Sequence, residues 1–238
     1  MGPVEDTTKH SRLSIHPNTG QVGTWGTWVV TFVVGERGIV QGGGIRVSLP
    51  NRWHQWFRNS ARRLQTEDPT EAFYITCKSS RIDVKLRCEV PNSPEEEFSK
   101  AGNKPTVGSF HDETRFGWAV SVTVERGRLL EGDSIDVIYG DTTHGGRGFT
   151  PPLFAGSSEP VRAELDRNGD GKYALLPIEN LPILSHSPAP PVEILVVLPS
   201  VGTVGEEGIV RLVALDQYQN GVSLPDTLVR LVVEEGEA

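Results

Sequence analysis

A strict alternation of apolar and polar residues is the feature of this sequence that most limits its fold. From Phe116 to Glu125 every second residue is large and apolar, and the residues between them are small or polar. A period of two places each set of side chains on its own face of an extended strand. The pattern returns more briefly from Ser134 to Tyr139, after Glu131-Gly132-Asp133. Because glycine accepts positive φ and aspartate bonds its own backbone, this tripeptide predicts a turn between two strands of an antiparallel sandwich.

Other stretches repeat this alternation. Thr27–Val34 and Ile82–Val90 are the clearest, and the second has charges of both signs between its apolar residues, as expected for a strand with one face in water. Ser93-Pro94 followed by Glu96 has the marks of a helix start, and Gly102 ends that helix. The 26 glycines and 17 prolines suit short strands joined by tight turns. The predicted fold is all-β: an antiparallel β-sandwich with one short helix.

The C-terminal part is predicted to be a second, partial module. Four prolines between Pro182 and Pro191 make that segment the best linker in the chain. We predict a β-sandwich domain over residues 1–185, a proline-rich linker over 186–191 and a partial immunoglobulin-like β-module over 192–238. Its three strand-like stretches are too few for a seven-strand immunoglobulin-like sandwich, so we expect a truncated part of a longer polypeptide.

Charge and hydropathy argue against two classes of partner. The net charge is −8, and the segment from Val192 onward, with eight acidic and two basic residues, carries −6 of it. This balance predicts no nucleic-acid partner. No apolar run approaches the length of a membrane span, and the N-terminus lacks the apolar core of a signal peptide, so no membrane partner is predicted either. The compartment stays open: it is cytoplasmic if the N-terminus is native, and otherwise unknown.

The two cysteines are predicted to be separate, buried side chains. They are too few for a disulfide framework and lack the spacing of a metal site. If Phe73–Cys77 and Ile82–Val90 form a hairpin, Cys77 lies beside Ile82, and Cys88 lies about 20 Å further along at roughly 3.3 Å per residue. Each thiol would then pack as a small hydrophobic group.

Trp53 and Trp56 lie in an aromatic stretch with arginine at both ends. Exposed tryptophans stack on sugar rings because their faces are rigid and apolar. One hypothesis is a carbohydrate-binding module that uses these tryptophans and the glycine-rich loop Gly140–Gly148, with Asp141 and His144 as ligand-binding residues. The alternative is that the tryptophans seal one end of the sandwich. The exposure of the two rings separates these interpretations.

The run Asp166-x-Asn168-x-Asp170-Gly171 matches the first half of a calcium loop, in which oxygens at alternate positions face one ion. The acid expected at the twelfth position of an EF-hand loop falls on Pro177, so a calcium site would need a distant carboxylate such as Glu179. The alternative is a polar hairpin turn, because turns use the same residue types. No cofactor other than calcium is suggested.

A hydrolytic metal site is a third hypothesis. His111, Asp112, Asp141 and His144 are the places where histidine and carboxylate cluster, but HxH and HExxH spacings are absent. A catalytic metal needs at least three protein ligands and an open position, which loops alone would have to arrange here. We therefore rank solvated loop residues above a metal site and assign no catalytic residue.

Gly42-Gly43-Gly44 could be read as a phosphate-binding loop, which requires a helix N-terminus directly after it. A short strand and Pro50 follow instead. The triplet therefore predicts a bulge or a tight bend.

Four segments carry a resemblance to a known family: TWGTWVVTFVVGERGIVQGGGIRV, LLEGDSIDVIYGDTTHGGRG, AELDRNGDGKYALL and EILVVLPSVGTVGEEGIVRLVALDQYQNG. Over about residues 20–238 the chain resembles the N-terminal β-rich region of a bacterial family of unknown function, whose members carry a PHP-like metallohydrolase domain further along. That family's metal-binding histidine and aspartate motifs have no counterpart in this sequence. The resemblance implies a non-catalytic accessory or interaction region of a larger metallohydrolase-like protein, with the downstream domain of the same polypeptide as its partner.

Overall fold

The computed structural model describes residues 11–50, 53, 64–90, 119–176, 181–201, 203, 205 and 207–224. It divides the chain between Ser187 and Pro188 into an N-terminal and a C-terminal unit. The strands of the N-terminal unit are β1 (Arg12–His16), β2 (Thr19–Gln21), β3 (Trp28–Val33), β4 (Gly44–Ser48), β5 (Ile75–Ser79), β6 (Lys85–Glu89), β7 (Val120–Arg126), β8 (Ser134–Tyr139), β9 (Gly156–Pro160), β10 (Arg162–Asp166), β11 (Ala174–Leu175) and β12 (Ile183–Ser187). The C-terminal unit contains β13 (Pro191–Val197), β14 (Arg211–Asp216) and β15 (Gly221–Val222).

Two antiparallel sheets form the body of the N-terminal unit. One has the strand order β1-β3-β8-β5, and the other has the order β11-β10-β4-β7-β6. A third, smaller sheet has the order β2-β12-β9 and contains a parallel pair, β2 with β12. The regular secondary structure of the described residues is thus almost entirely strand, and the predicted all-β class is confirmed. The predicted helix over residues 93–102 lies outside the described residues.

The core lies between the two large sheets because alternate residues of their strands are apolar. Val30 and Phe32 of β3 and Val122 and Val124 of β7 are fully buried and belong to one hydrophobic cluster. A hydrogen bond also joins the sheets, since the Tyr139 hydroxyl on β8 donates to the Val47 carbonyl on β4 over 3.2 Å. The two sheets are therefore the layers of one sandwich.

The chain changes sheets at both connections that the sequence suggested were simple turns. β7 and β8 lie in different sheets, and so do β5 and β6. The predicted hairpin between Phe73–Cys77 and Ile82–Val90 is therefore wrong: β5 pairs with β8, and β6 pairs with β7. The inferred separation of about 20 Å between Cys77 and Cys88 is wrong as well, because it assumed that the two strands pair with each other.

The glycine triplet lets two backbones approach the start of β4. A Cβ atom on Gly44 would lie 2.0 Å from the carbonyl oxygen of Val122 in β7, and one on Gly43 would lie 2.6 Å from the carbonyl oxygen of Asp166. Gly42 has a φ of +87°. Positive φ at Gly42 and close backbone approach at Gly43 and Gly44 thus account for the triplet.

The C-terminal unit contains one antiparallel sheet with the order β13-β14-β15. The division at Ser187/Pro188 falls inside the segment predicted as a linker, and β12 and β13 extend into that segment from its two sides.

Asp216 closes the turn between β14 and β15: its buried carboxylate accepts hydrogen bonds from the backbone N–H groups of Ala189, Tyr218 and Asn220 at 2.8–2.9 Å. Among the described residues, no helix is long and apolar enough to cross a membrane.

Candidate functional site

A cluster of aromatic rings closes one end of the N-terminal sandwich. Phe149 lies at its centre, with its ring centroid 5.5–6.1 Å from those of Trp28, Trp53, Phe73 and Tyr139. The Trp53 and Phe149 rings are stacked, with an interplanar angle of 6°. Such pairs stabilise a core beyond the area that they bury.

The burial of Trp53 corrects the idea that it presents a face to a sugar. The side chain is 2% exposed, and Trp28 also packs edge-on against it at 5.1 Å. Trp53 therefore takes the alternative role, in which it seals the end of the sandwich. Trp56, the second ring of the carbohydrate-binding hypothesis, lies outside the described residues.

The glycine-rich loop Gly140–Gly148 is attached to this aromatic cluster. Gly148 accepts a hydrogen bond from the Phe73 N–H at 2.9 Å, and Phe149 exchanges two backbone bonds of 2.8 Å with Gly26. Arg147 extends from the loop and lies over the Trp25 ring, with 4.3 Å between the guanidinium carbon and the ring centroid. These contacts hold the loop against the aromatic cluster at the end of the sandwich.

Asp141 is buried in this loop and fixes its shape. The carboxylate is 4% exposed and accepts hydrogen bonds from the Thr76 hydroxyl at 2.6 Å and from the hydroxyl and N–H of Thr143 at 2.7 and 3.0 Å. Burial by itself raises the pKa of Asp141, but the bonds from Thr76 and Thr143 outweigh it and hold the pKa below its ordinary value. The charged carboxylate is thus a structural acceptor at neutral pH.

Asp141 and His144, which the hydrolase hypothesis grouped together, lie in different environments. His144 is exposed, whereas both oxygens of Asp141 are directed to threonine side chains. Within the part of the chain that the structure describes, no group of three His, Cys, Asp or Glu side chains could hold a metal ion. His111 and Asp112, the other members of the hydrolase hypothesis, lie outside the described residues.

The Asp141 hydrogen bonds predict an acid-dependent loss of stability. Because the folded-state pKa of Asp141 is below its unfolded value of about 3.9, its contribution is complete above about pH 5 and disappears as the pH falls through the folded-state pKa. We expect Asp141→Asn to be less stable than wild type at pH 7, and this difference should shrink towards pH 2. Urea unfolding followed by tryptophan fluorescence between about pH 2 and pH 7 measures the difference. Glu131→Gln, at an exposed turn position, is the control, and a pH-independent difference for Asp141→Asn would contradict the assignment.

The Asp166–Gly171 segment is a turn organised by one carboxylate. Asp166 is buried, and its two oxygens accept hydrogen bonds from the N–H groups of Asn168, Gly169 and Gly171 at 2.9–3.1 Å. Asp170 is exposed and accepts from the Lys172 N–H at 3.0 Å. Asp166, Asn168 and Asp170 thus have the contacts of the predicted hairpin turn, with the Asp166 oxygens directed to the backbone. Glu179 lies outside the described residues.

The C-terminal sheet carries a feature that the sequence analysis missed. Its two faces differ in character, and we define them by register. The apolar face consists of Ile194, Val196, Leu212, Ala214 and Val222, and Asp216 at the end of β14 continues the alternation of Leu212 and Ala214. The mixed face consists of Glu193, Leu195, Val197, Arg211, Val213 and Leu215.

The apolar side chains of β13 are exposed on both faces. Ile194 and Val196 are 53% and 51% exposed, and Leu195 and Val197 of the mixed face are 46% and 44% exposed. Contiguous exposed apolar surface marks an interaction site in a folded protein. The signal in the sequence was the continuous apolar run of β13, which is typical of a strand covered on both sides.

Comparison of the sequence with protein-family models gave no match, and comparison with curated protein sequences gave none. The function of the chain is therefore inferred from its geometry.

Proposed function

We propose that this chain is a non-catalytic β-sandwich accessory region whose C-terminal sheet docks a further β-rich segment of the same polypeptide. The observation that carries this proposal is the exposure of Ile194 and Val196, which pair with the apolar residues Ala214 and Leu212. Following the resemblance, the larger protein is a bacterial, metallohydrolase-like one.

The shape of the exposed surface suits a second sheet. Sheets bury one apolar face against another layer, and in a β-sandwich the inner faces of two sheets supply the core. The apolar face has the composition of such an inner face, whereas Glu193 and Arg211 give the mixed face the charges of an outer one. The occupant is therefore expected to be β-rich and apolar on the side that it presents.

The size of the C-terminal sheet favours an occupant in the same polypeptide. It has three described strands, and β15 contains two residues. A sheet this small needs packing partners for independent stability. A covalently linked segment is present at a high effective concentration and covers the face as soon as it folds.

The candidate ligand-binding and metal-binding residues that the structure describes support the non-catalytic part of the proposal by their contacts. Asp141 and Asp166 direct their carboxylates to threonines and backbone N–H groups, and Trp53 is inside the aromatic cluster. A general acid or base must instead reach a reacting group. These three side chains are instead engaged in hydrogen bonds and ring packing within the N-terminal unit.

The natural reading frame after Ala238 is the first test. The proposal predicts that it continues into at least one further β-rich segment with a period-two apolar pattern, followed by a metallohydrolase-like domain. A stop codon directly after Ala238 would remove the proposed occupant and overturn the proposal. A longer frame without a β-rich segment would do the same.

A further inference from the structure

The two cysteines meet at one edge of the sandwich. Cys77 lies on β5, an edge strand of the four-stranded sheet, and Cys88 lies on β6, an edge strand of the five-stranded sheet. Residues 80–84 carry the chain from one sheet to the other, and Cα atoms of the two strands come within 8 Å of each other. The cysteines are therefore neighbours across the two layers.

The strand registers point both thiols into the space between the sheets. Cys77 is directly opposite Val137, and Cys88 is directly opposite Val122. Directly paired residues project from the same face of a sheet, and both valines are fully buried in the core. Both cysteines pack against the hydrophobic cluster, and their side chains are close enough for each to change the ionisation of the other. Each cysteine residue is half-buried.

The proximity of the two thiols makes them chemically unequal. Interaction with the Cys88 side chain lowers the pKa of Cys77 and outweighs the opposing effect of burial. The pKa of Cys88 is raised, first by its interaction with Cys77 and then by burial. The first proton therefore leaves from Cys77, and its thiolate is the nucleophile of the pair.

We propose that Cys77 and Cys88 form a reversible disulfide that links the two sheets, with a small-molecule disulfide such as oxidised glutathione as the oxidant. The Cys77 thiolate attacks one sulfur of that disulfide, whose S–S bond breaks and releases one thiolate. Cys88 then loses its proton and attacks the Cys77 sulfur, which releases the second thiolate. The protein loses two electrons and two protons. The oxidant gains both electrons, and its two thiolates take up the protons as thiols.

The disulfide would constrain the edge of the sandwich without a new fold. It would close the loop from residue 77 to residue 88, which includes the crossing between the sheets. A loop of this length, closed by an unstrained disulfide, raises the melting temperature of a domain of this size by about 5–10 °C. This modification site is independent of the docking proposed for the C-terminal sheet.

Mass spectrometry of the whole chain after equilibration in glutathione buffers tests the proposal. We expect an oxidised species that has lost two hydrogen atoms, a Cys77–Cys88 cross-link in its peptide map and a melting temperature about 5–10 °C above that of the reduced protein. Dithiothreitol should reverse all three. Because both samples are wild type, the comparison does not depend on whether a cysteine variant folds.

The single variants Cys77→Ser and Cys88→Ser supply the control. Each leaves one thiol, so oxidised glutathione is expected to give a mixed disulfide without the rise in melting temperature. Cys88→Ser should react faster than Cys77→Ser, since it keeps the nucleophile. Wild type that stays fully reduced in oxidised glutathione, or that accumulates mixed disulfides or cross-linked dimers, would overturn the proposal.

Discussion

Replacing Phe149 with alanine is expected to lower the free energy of unfolding of the N-terminal unit by about 3–5 kcal/mol. The ring is buried and lies within 6.1 Å, between centroids, of Trp28, Trp53, Phe73 and Tyr139. Its removal would leave a cavity that these large rings cannot fill without leaving their own positions. The loss combines the transfer free energy of the ring with the cost of the cavity.

Urea unfolding followed by tryptophan fluorescence measures this effect, because two of the neighbouring rings are tryptophans. Phe154→Ala is the matched control: the same side chain is removed where it is 65% exposed, and we expect a change within about 0.5 kcal/mol. Equal effects of the two substitutions would mean that the aromatic cluster does not hold the end of the sandwich.

Gly44→Ala is expected to destabilise the N-terminal unit by at least about 4 kcal/mol or to prevent its folding. The added Cβ would lie 2.0 Å from the Val122 carbonyl oxygen and 2.9 Å from its carbonyl carbon. Both are backbone atoms of the strand paired with β4, so relief requires the β4–β7 pairing to open.

Gly132→Ala separates this clash from the general cost of removing a glycine. Gly132 has a φ of +83°, and a Cβ there meets no atom within 4 Å, so the expected cost is about 1 kcal/mol of backbone strain. Soluble yield and circular dichroism, followed by urea unfolding where the variant folds, compare the two. A Gly44→Ala protein as stable as Gly132→Ala would contradict the close approach of β4 and β7.

Local periodicity in the sequence was enough to find the main strands. The alternation over Thr27–Val34 and in the stretches ending at Glu125 and Tyr139 corresponds to β3, β7 and β8, because a period of two directly specifies which side chains are buried. Strand pairing is not specified in this way. The short connection after Cys77 has the length of a hairpin loop, but it crosses between sheets, and the partner strand β8 lies far along the chain.

In the candidate site, too, local contacts could be predicted from the sequence and contacts between distant residues could not. Residue types correctly suggested a turn around Asp166, since its acceptors bond backbone groups a few residues away. The contacts of Trp53 and Asp141 could not be predicted, because their partners Phe149 and Thr76 are distant in sequence. The exposure of both faces of β13 was not predicted, because an apolar run shows that a strand has no polar face but does not show what covers it.

The docking of a downstream segment on the apolar face is most directly tested by hydroxyl-radical footprinting, which reports the exposure of individual side chains. The present chain is compared with the same chain extended by its natural downstream residues. The account predicts that oxidation of Ile194 and Val196 falls several-fold in the extended polypeptide, while Leu195 and Val197 of the mixed face change less. Val201, which is 85% exposed, serves as the internal reference. Equal oxidation of Ile194 and Val196 in the two chains would contradict the account.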